Sequence, residues 1–211
     1  MYQTEREEVA RFMRRLYRQK LTTTGGGNIS CRTADGNIVI TASGSDKAEQ
    51  SADTVGVITP EGKSLTPDLK LSIETGMHLA IYAVRPDISA IVHAHPVTAS
   101  LFSAARSIPL NLHLTAEAYA IAEKAVRIPY ALMGTEALAR LAAEHLQNAD
   151  CGLLENHGVI ALGKSLLAAF DKMEVLENAA QQTVMAQTIP CTPLSAEQLR
   201  EIDILTGRIK A

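Results

Sequence analysis

The β-branched run from Ile88 to Val92, stopped by Pro96, reads as a buried strand. Such a strand needs cover on both faces, which demands a layered architecture. The segments around it supply the layers. Thr4 to Leu21 predicts an amphipathic helix, with Val9, Phe12, Met13, Leu16 and Tyr17 at helical spacing and Thr4 and Glu7 as a capping box. Gly25-Gly26-Gly27 stops any helix. Asn28 to Thr33 and Asn37 to Ala42 read as strands joined at Asp35-Gly36, and Val55 to Ile58 with the Glu61-Gly62 turn as another hairpin. Ser72 is placed to cap a helix running to about Val84, and helices are expected over 97–105, 135–147, 165–187 and after Ser195 and Gln198. Cys151 to Leu154 and Val159 to Leu162 are strands around Asn156-His157-Gly158. Strands and helices mix without strict alternation. The expected fold is therefore α/β: one domain over 1–211, with a mostly antiparallel central sheet flanked by helices.

Composition bounds the function. The 211 residues suit one core, and 46% hydrophobic with 20% charged residues is ordinary for a globular protein. A net charge of −3 offers no global field for nucleic acid or an acidic membrane, so an anion needs a local site. Cys31, Cys151 and Cys191 are odd in number and irregularly spaced, which suits reduced thiols rather than a disulfide framework or a metal knuckle. Met1 to Lys20 lacks the apolar stretch of a signal peptide, and no segment is apolar for the length of a membrane span. A cytoplasmic location is expected.

The sharpest chemical feature is His93-Ala94-His95. On a strand, side chains two apart share a face, so two imidazoles can reach one ion. Such a pair alone is a weak signal, more often two partly buried histidines satisfied by backbone groups. His157 strengthens the metal reading, because it stands in a turn at the mouth of an apolar hairpin. Three neutral imidazoles would leave a zinc open for a substrate oxygen. Glu74, at a helix start, is a carboxylate able to serve as ligand, proton acceptor or each in turn. His78, four residues on, is given a packing or supporting role. His145 is read as exposed, and His113 stays open.

Thr24-Gly25-Gly26-Gly27-Asn28 permits close backbone approach and an anion nest. Ser43-Gly44-Ser45 and Ser72 add a second small-residue loop and a hydroxyl at a helix start. Lys47 could contribute charge, although a solvated lysine is the plainer reading. No Gly-Lys-Ser/Thr ending is present, so this is not a Walker loop.

Taken together, GGGNIS at 25–30, SIETGMHLAIY at 72–82, IVHAHP at 91–96, PYALMGT at 129–135 and LLENHGVIALG at 153–163 resemble the class II aldolase/adducin-head family, and within it the fuculose-1-phosphate aldolases. The resemblance implies Zn2+, or another divalent metal such as Mn2+ or Co2+, on His93, His95 and His157. It implies Glu74 as the catalytic acid/base. It also implies a phosphate pocket of Gly25, Gly27, Asn28, Ser43, Gly44 and Ser72. The implied reaction is reversible cleavage of a ketose 1-phosphate to dihydroxyacetone phosphate and an aldehyde, in a homotetramer with sites between subunits.

Sister activities bracket this reading. Methylthioribulose-phosphate dehydratases keep the glutamate, pentulose-phosphate 4-epimerases tend to carry aspartate there, and oxo-acid phosphate decarboxylases lysine. Adducin heads share the fold as binding modules without metal ligands. The separation of 62 from His95 to His157 fits the aldolases. Three departures bear on the substrate. Ile73 stands where the aldolases have a second serine, no tyrosine matches near Leu112–His113, and none lies in 195–211.

Overall fold

The computed structural model describes residues 1–122 and 124–210. Seven strands form one sheet in the order β3-β2-β1-β4-β7-β6-β5. They are β1 (Asn28–Arg32), β2 (Ile38–Thr41), β3 (Val55–Ile58), β4 (Ala90–Ala94), β5 (Ala125–Ile128), β6 (Cys151–Leu154) and β7 (Gly158–Gly163). Every pairing is antiparallel except β5 with β6. The mostly antiparallel sheet expected from the sequence is thus the one observed.

Seven helices cover it: α1 (Gln3–Arg18), α2 (Thr75–Val84), α3 (Val97–Ala104), α4 (Ala116–Ala122), α5 (Glu136–His145), α6 (Leu166–Met185) and α7 (Ala196–Leu205). Alternation along the strands divides the core in two. Ile29, Cys31, Val92, Ala94, Val159 and Ala161 face α1, α3 and α6, where Phe12, Met13, Phe102, Phe170 and Met173 are buried. Ile38, Ile40, Ile91, Ile160 and Leu162 face α2 and α5, meeting Met77, Ile81, Leu138 and Ala142. The central strand β4 is buried along its whole length, as its composition requires.

Several local expectations are corrected. Helix α1 starts at Gln3, so Thr4 lies inside it, and Tyr2 is an N-cap at φ 52° without a side-chain cap. The chain entry is held instead by the Tyr2 hydroxyl, which bonds Asp35 and accepts from Asn37 at 2.8 Å. Helix α2 begins at Thr75 rather than Ser72, which opens the preceding turn and accepts from Thr75 N at 3.1 Å. Strand β3 pairs with β2, and the 61–62 turn closes only an isolated bridge between Ile58 and Ser64. Strand β4 is displaced two residues from 88–92, because backbone pairing with Asn28 and Ile160 draws His93 into the ladder. Helix α4 and strand β5 carry no signal in the sequence reading. The helix is an alanine-rich AEAYAIA without a polar face, and the strand is a half-exposed edge. The Ser195/Gln198 capping box is as expected, and Thr135 and Ser165 cap α5 and α6 at the starts of the helices expected there.

Candidate metal centre

His93 lies within β4, His95 just beyond its end, and His157 in the tight β6–β7 turn, so neighbouring strands β4 and β7 bring all three to one place. One nitrogen from each lies within 4.8 Å of the others. The rings of His93 stand 4.9 Å from those of His95 and His157, both edge-on. His93 is fully buried and its partners are partly so. Gly26 and Gly27 give room beside these rings: a Cβ on Gly26 would stand 2.7 Å from His95 Nδ1, and one on Gly27, at φ +70°, would stand 2.8 Å from the His93 carbonyl.

Glu74 is the N-cap of α2, three residues into the 72–75 turn, with its backbone N–H donating to Ser72 Oγ at 3.3 Å. Its carboxylate is 5% exposed and spans two of the imidazoles, with Oε2 at 3.3 Å from His93 Nε2 and Oε1 at 3.4 Å from His157 Nε2. Burial alone works to raise its pKa. The neighbouring imidazole of His93, with the Asn28 amide and His157, outweighs that and holds the group well below the usual carboxylate range. Burial first, then repulsion from His93, pushes His95 down to about 3, and the same causes lower His157. These rings stay neutral, as ligation requires.

The donor set fits a cation. His93 Nδ1 sits 2.9 Å from the Val159 carbonyl, so in the neutral ring that nitrogen carries the proton and donates. The lone pair of His93 Nε2 then faces a carboxylate oxygen. His93 Nε2, His95 Nε2 and Glu74 Oε1 are all buried without a hydrogen-bond partner. Acceptors converging on one point call for a positive charge between them, and three imidazoles suit zinc and related divalent ions.

The segments expected to hold a phosphate are neighbours. Lys47 N donates to the Thr24 carbonyl at 3.0 Å, Ser43 N to the Lys70 carbonyl at 2.8 Å, and Ala42 bridges Leu71. Gly25, Gly27, Ser43, Gly44 and Ser72 therefore lie on adjoining loops, with Gly27 and Gly44 both at φ +70°. Asn28 also has a relation to the carboxylate. It sits opposite His93 in the β1–β4 ladder and donates from Nδ2 to Glu74 Oε2 at 2.8 Å. Lys47 is not a solvated lysine. It is 2% exposed, and its ammonium donates to the Ala42 carbonyl and Ser45 Oγ, both at 3.1 Å.

The remaining histidines separate. His78 is completely buried beside Asn28. His113 is exposed and edge-on to Tyr119 at 5.3 Å. His145 is half-buried and bonded to the Leu141 carbonyl rather than free in solvent. Ile73 is 54% exposed and lies against Gly134.

A helix-flanked, largely antiparallel sheet with three imidazoles at adjacent strand ends and a buried carboxylate at a helix start defines an α/β protein with a cluster able to hold a metal ion. Residues 7–184 match the Class II Aldolase and Adducin N-terminal domain, and the chain belongs to that family. It is 33% identical to 5-deoxy-D-ribulose 1-phosphate aldolase of Bacillus thuringiensis serovar kurstaki, over 86% of this chain and 84% of the relative. It is 30% identical to methylthioribulose-1-phosphate dehydratase of Hahella chejuensis, over 77% and 84%. The crystal structure of YgbL from Escherichia coli superposes with a TM-score of 0.89 at 27% identity, covering 95% of this chain and 98% of that one. Proteins named L-fuculose phosphate aldolase and 3-oxo-tetronate 4-phosphate decarboxylase are also relatives, so similarity spans several activities.

Proposed function

We propose that the protein is a metal-dependent aldolase that cleaves a ketose 1-phosphate to dihydroxyacetone phosphate and an aldehyde. The observation that carries this is Glu74, a buried carboxylate with an unpartnered oxygen lying between two members of an imidazole triad. His93, His95 and His157 would hold the divalent metal, zinc by the donor set, which supplies Lewis-acid polarisation of a carbonyl oxygen. Glu74 then removes a proton from the carbon next to that carbonyl, with its electron pair delocalised towards the carbonyl oxygen. In the cleavage direction the hydroxyl of the departing carbon gives up its proton to solvent as the C–C bond breaks to the aldehyde, and protonated Glu74 places a proton on the carbon left behind. The Asn28 amide holds one carboxylate oxygen, leaving the other for the proton. The adjoining loops at Gly25, Gly27, Ser43, Gly44 and Ser72 bind the phosphate through backbone N–H groups and hydroxyls. The working form is a homotetramer.

The test is release of dihydroxyacetone phosphate from a panel of ketose 1-phosphates, with and without a chelator. Chelator-sensitive release supports the reading. Its absence from the whole panel, with loss of water from methylthioribulose 1-phosphate instead, would replace it with the dehydratase, which uses the same base. Loss of carbon dioxide from an oxo-acid phosphate would replace it with the decarboxylase.

A further inference from the structure

Behind Glu74 a line of buried polar side chains runs away from the metal centre and into the core between the sheet and α2. Asn28 Nδ2 is 2.8 Å from Glu74 Oε2, and Asn28 Oδ1 is 2.6 Å from His78 Nε2. His78 Nδ1 is 2.6 Å from Ser30 Oγ, which is 2.9 Å from the Tyr82 hydroxyl. Asn28, Ser30, His78 and Tyr82 are each at most 5% exposed. Asn28 and Ser30 share a face of β1, and His78 and Tyr82 are one turn apart on α2, so the line is a zipper between one strand and one helix.

Its polarity follows from one end. A carboxylate only accepts, so the Asn28 group beside it is the NH2 and the group facing His78 is the carbonyl. His78 must then donate from Nε2 and, as a neutral ring, accept at Nδ1. Ser30 spends its one proton on that nitrogen, so Tyr82 donates to Ser30. Burial, then the charge of His93, pushes His78 down to about 3, which agrees with a neutral ring. At the far end Arg32 fixes Tyr82, donating to its carbonyl at 2.8 Å with its guanidinium 4.8 Å from the ring centre.

We propose that His78 is a positioning residue for Glu74, locking the Asn28 amide so that four hydrogen bonds, all donated in one direction, terminate on the base. The catalytic part of this rests on the reading of Glu74 as the base. The chain sets orientation rather than carrying protons, because a carboxamide stands in its middle and does not readily pass one on. Without the His78 donor, the Asn28 amide can turn its oxygen towards the carboxylate. That would leave Glu74 unbonded and repelled, with its remaining oxygen misdirected. Aligned bonds of this kind polarise one another, and the last is further strengthened by its charged acceptor.

Two measurements on the metal-loaded protein test it. The 15N shifts of the His78 ring, assigned by their loss in His78→Gln, should show a protonated Nε2 and an unprotonated Nδ1. The opposite tautomer overturns the chain's direction whatever the enzyme does. Hydrogen exchange at carbon in dihydroxyacetone phosphate, followed in deuterated water, then reads the consequence. His78→Leu should lower kcat for exchange by about 10–100-fold with little change in KM or in bound metal. His78→Gln, which keeps an N–H donor, should recover most of that loss. Exchange at the unaltered rate in His78→Leu, with Glu74→Gln inactive, defeats the positioning role alone. Unaltered exchange in Glu74→Gln removes Glu74 as the base and the catalytic role of His78 with it.

Discussion

Gly158 lies so close beneath His95 that a Cβ there would stand 2.5 Å from His95 Cδ2 and 2.7 Å from the Ala94 carbonyl. His157, the third imidazole of the cluster, is its chain neighbour, so the tight turn that presents His157 also makes room for His95. Gly158→Ala must displace the backbone of β4 or turn the His95 ring. Divalent-metal affinity, measured by competition with a chromophoric chelator, should fall by about 10–100-fold, with the protein still folded. Unchanged affinity would mean that the three rings do not act together on one ion.

Metal binding should appear as stability. With zinc at about a thousandfold over its Kd, the native state should gain about 4 kcal/mol, seen as a raised Tm. His157→Ala, which removes one of the three nitrogens, should abolish most of that gain. An equal zinc-induced shift in this variant would place the ion elsewhere.

Arg85 is 9% exposed and ties the end of α2 to the segment between α5 and β6. Its guanidinium donates to the Leu146 and Ala149 carbonyls at 2.9 and 2.8 Å, to both oxygens of Asp87 at 2.8 Å, and to Asp150 at 2.7 Å. Arg85→Met leaves two carbonyls and part of Asp150 without partners, so denaturant unfolding should report a loss of about 3 kcal/mol. Arg85→Lys should recover little, because the forked geometry is what reaches all four groups. Arg140→Met, which removes an exposed pair with Glu144, should cost no more than about 0.5 kcal/mol. Equal losses at the two positions would remove the buried network as the cause.

His78 makes stability depend on pH in the metal-free protein. Its folded pKa, pushed down to about 3 by burial and then by His93, lies below the ordinary value of about 6.5 in the unfolded chain. Between these values the unfolded chain binds a proton that the folded one refuses. The contribution is therefore complete above about 6.5 and is lost as the pH falls towards 3. Urea unfolding should show a slope of about 1.4 kcal/mol per pH unit in this window from this group. His78→Gln should remove that increment. The same slope in the variant would assign it to other groups.

Gly76, in the first turn of α2, meets nothing within 4 Å of a Cβ. Gly76→Ala should raise stability by about 0.5–1 kcal/mol, read as an increased Tm, without altering metal affinity. A lowered Tm would show that the helix start needs the freedom of glycine.

The chemistry of this protein was written locally. The alternation that puts His93 and His95 on one face belongs to any strand, and the apolar runs flanking 156–158 require a tight turn there. The residue types of the site and the mixed, helix-covered sheet were therefore legible from neighbours in the chain. What could not be read that way depends on register. Asn28 serves Glu74 because it falls opposite His93 in the β1–β4 pairing, and one step of slippage would turn it to the other core. Thr4 looked like a cap because its own neighbours allow it, yet a tyrosine anchored to a distant turn set the helix start. Lys47 is buried where its loop docks on the Thr24 carbonyl of an earlier one, and Gly158 is crowded because a strand some sixty residues earlier passes against it. Periodicity and residue type act over one turn or one pleat, and these the sequence by itself determined. Register, clearance and the direction of a buried hydrogen-bond chain are set by which segments meet, and only the tertiary structure decided them.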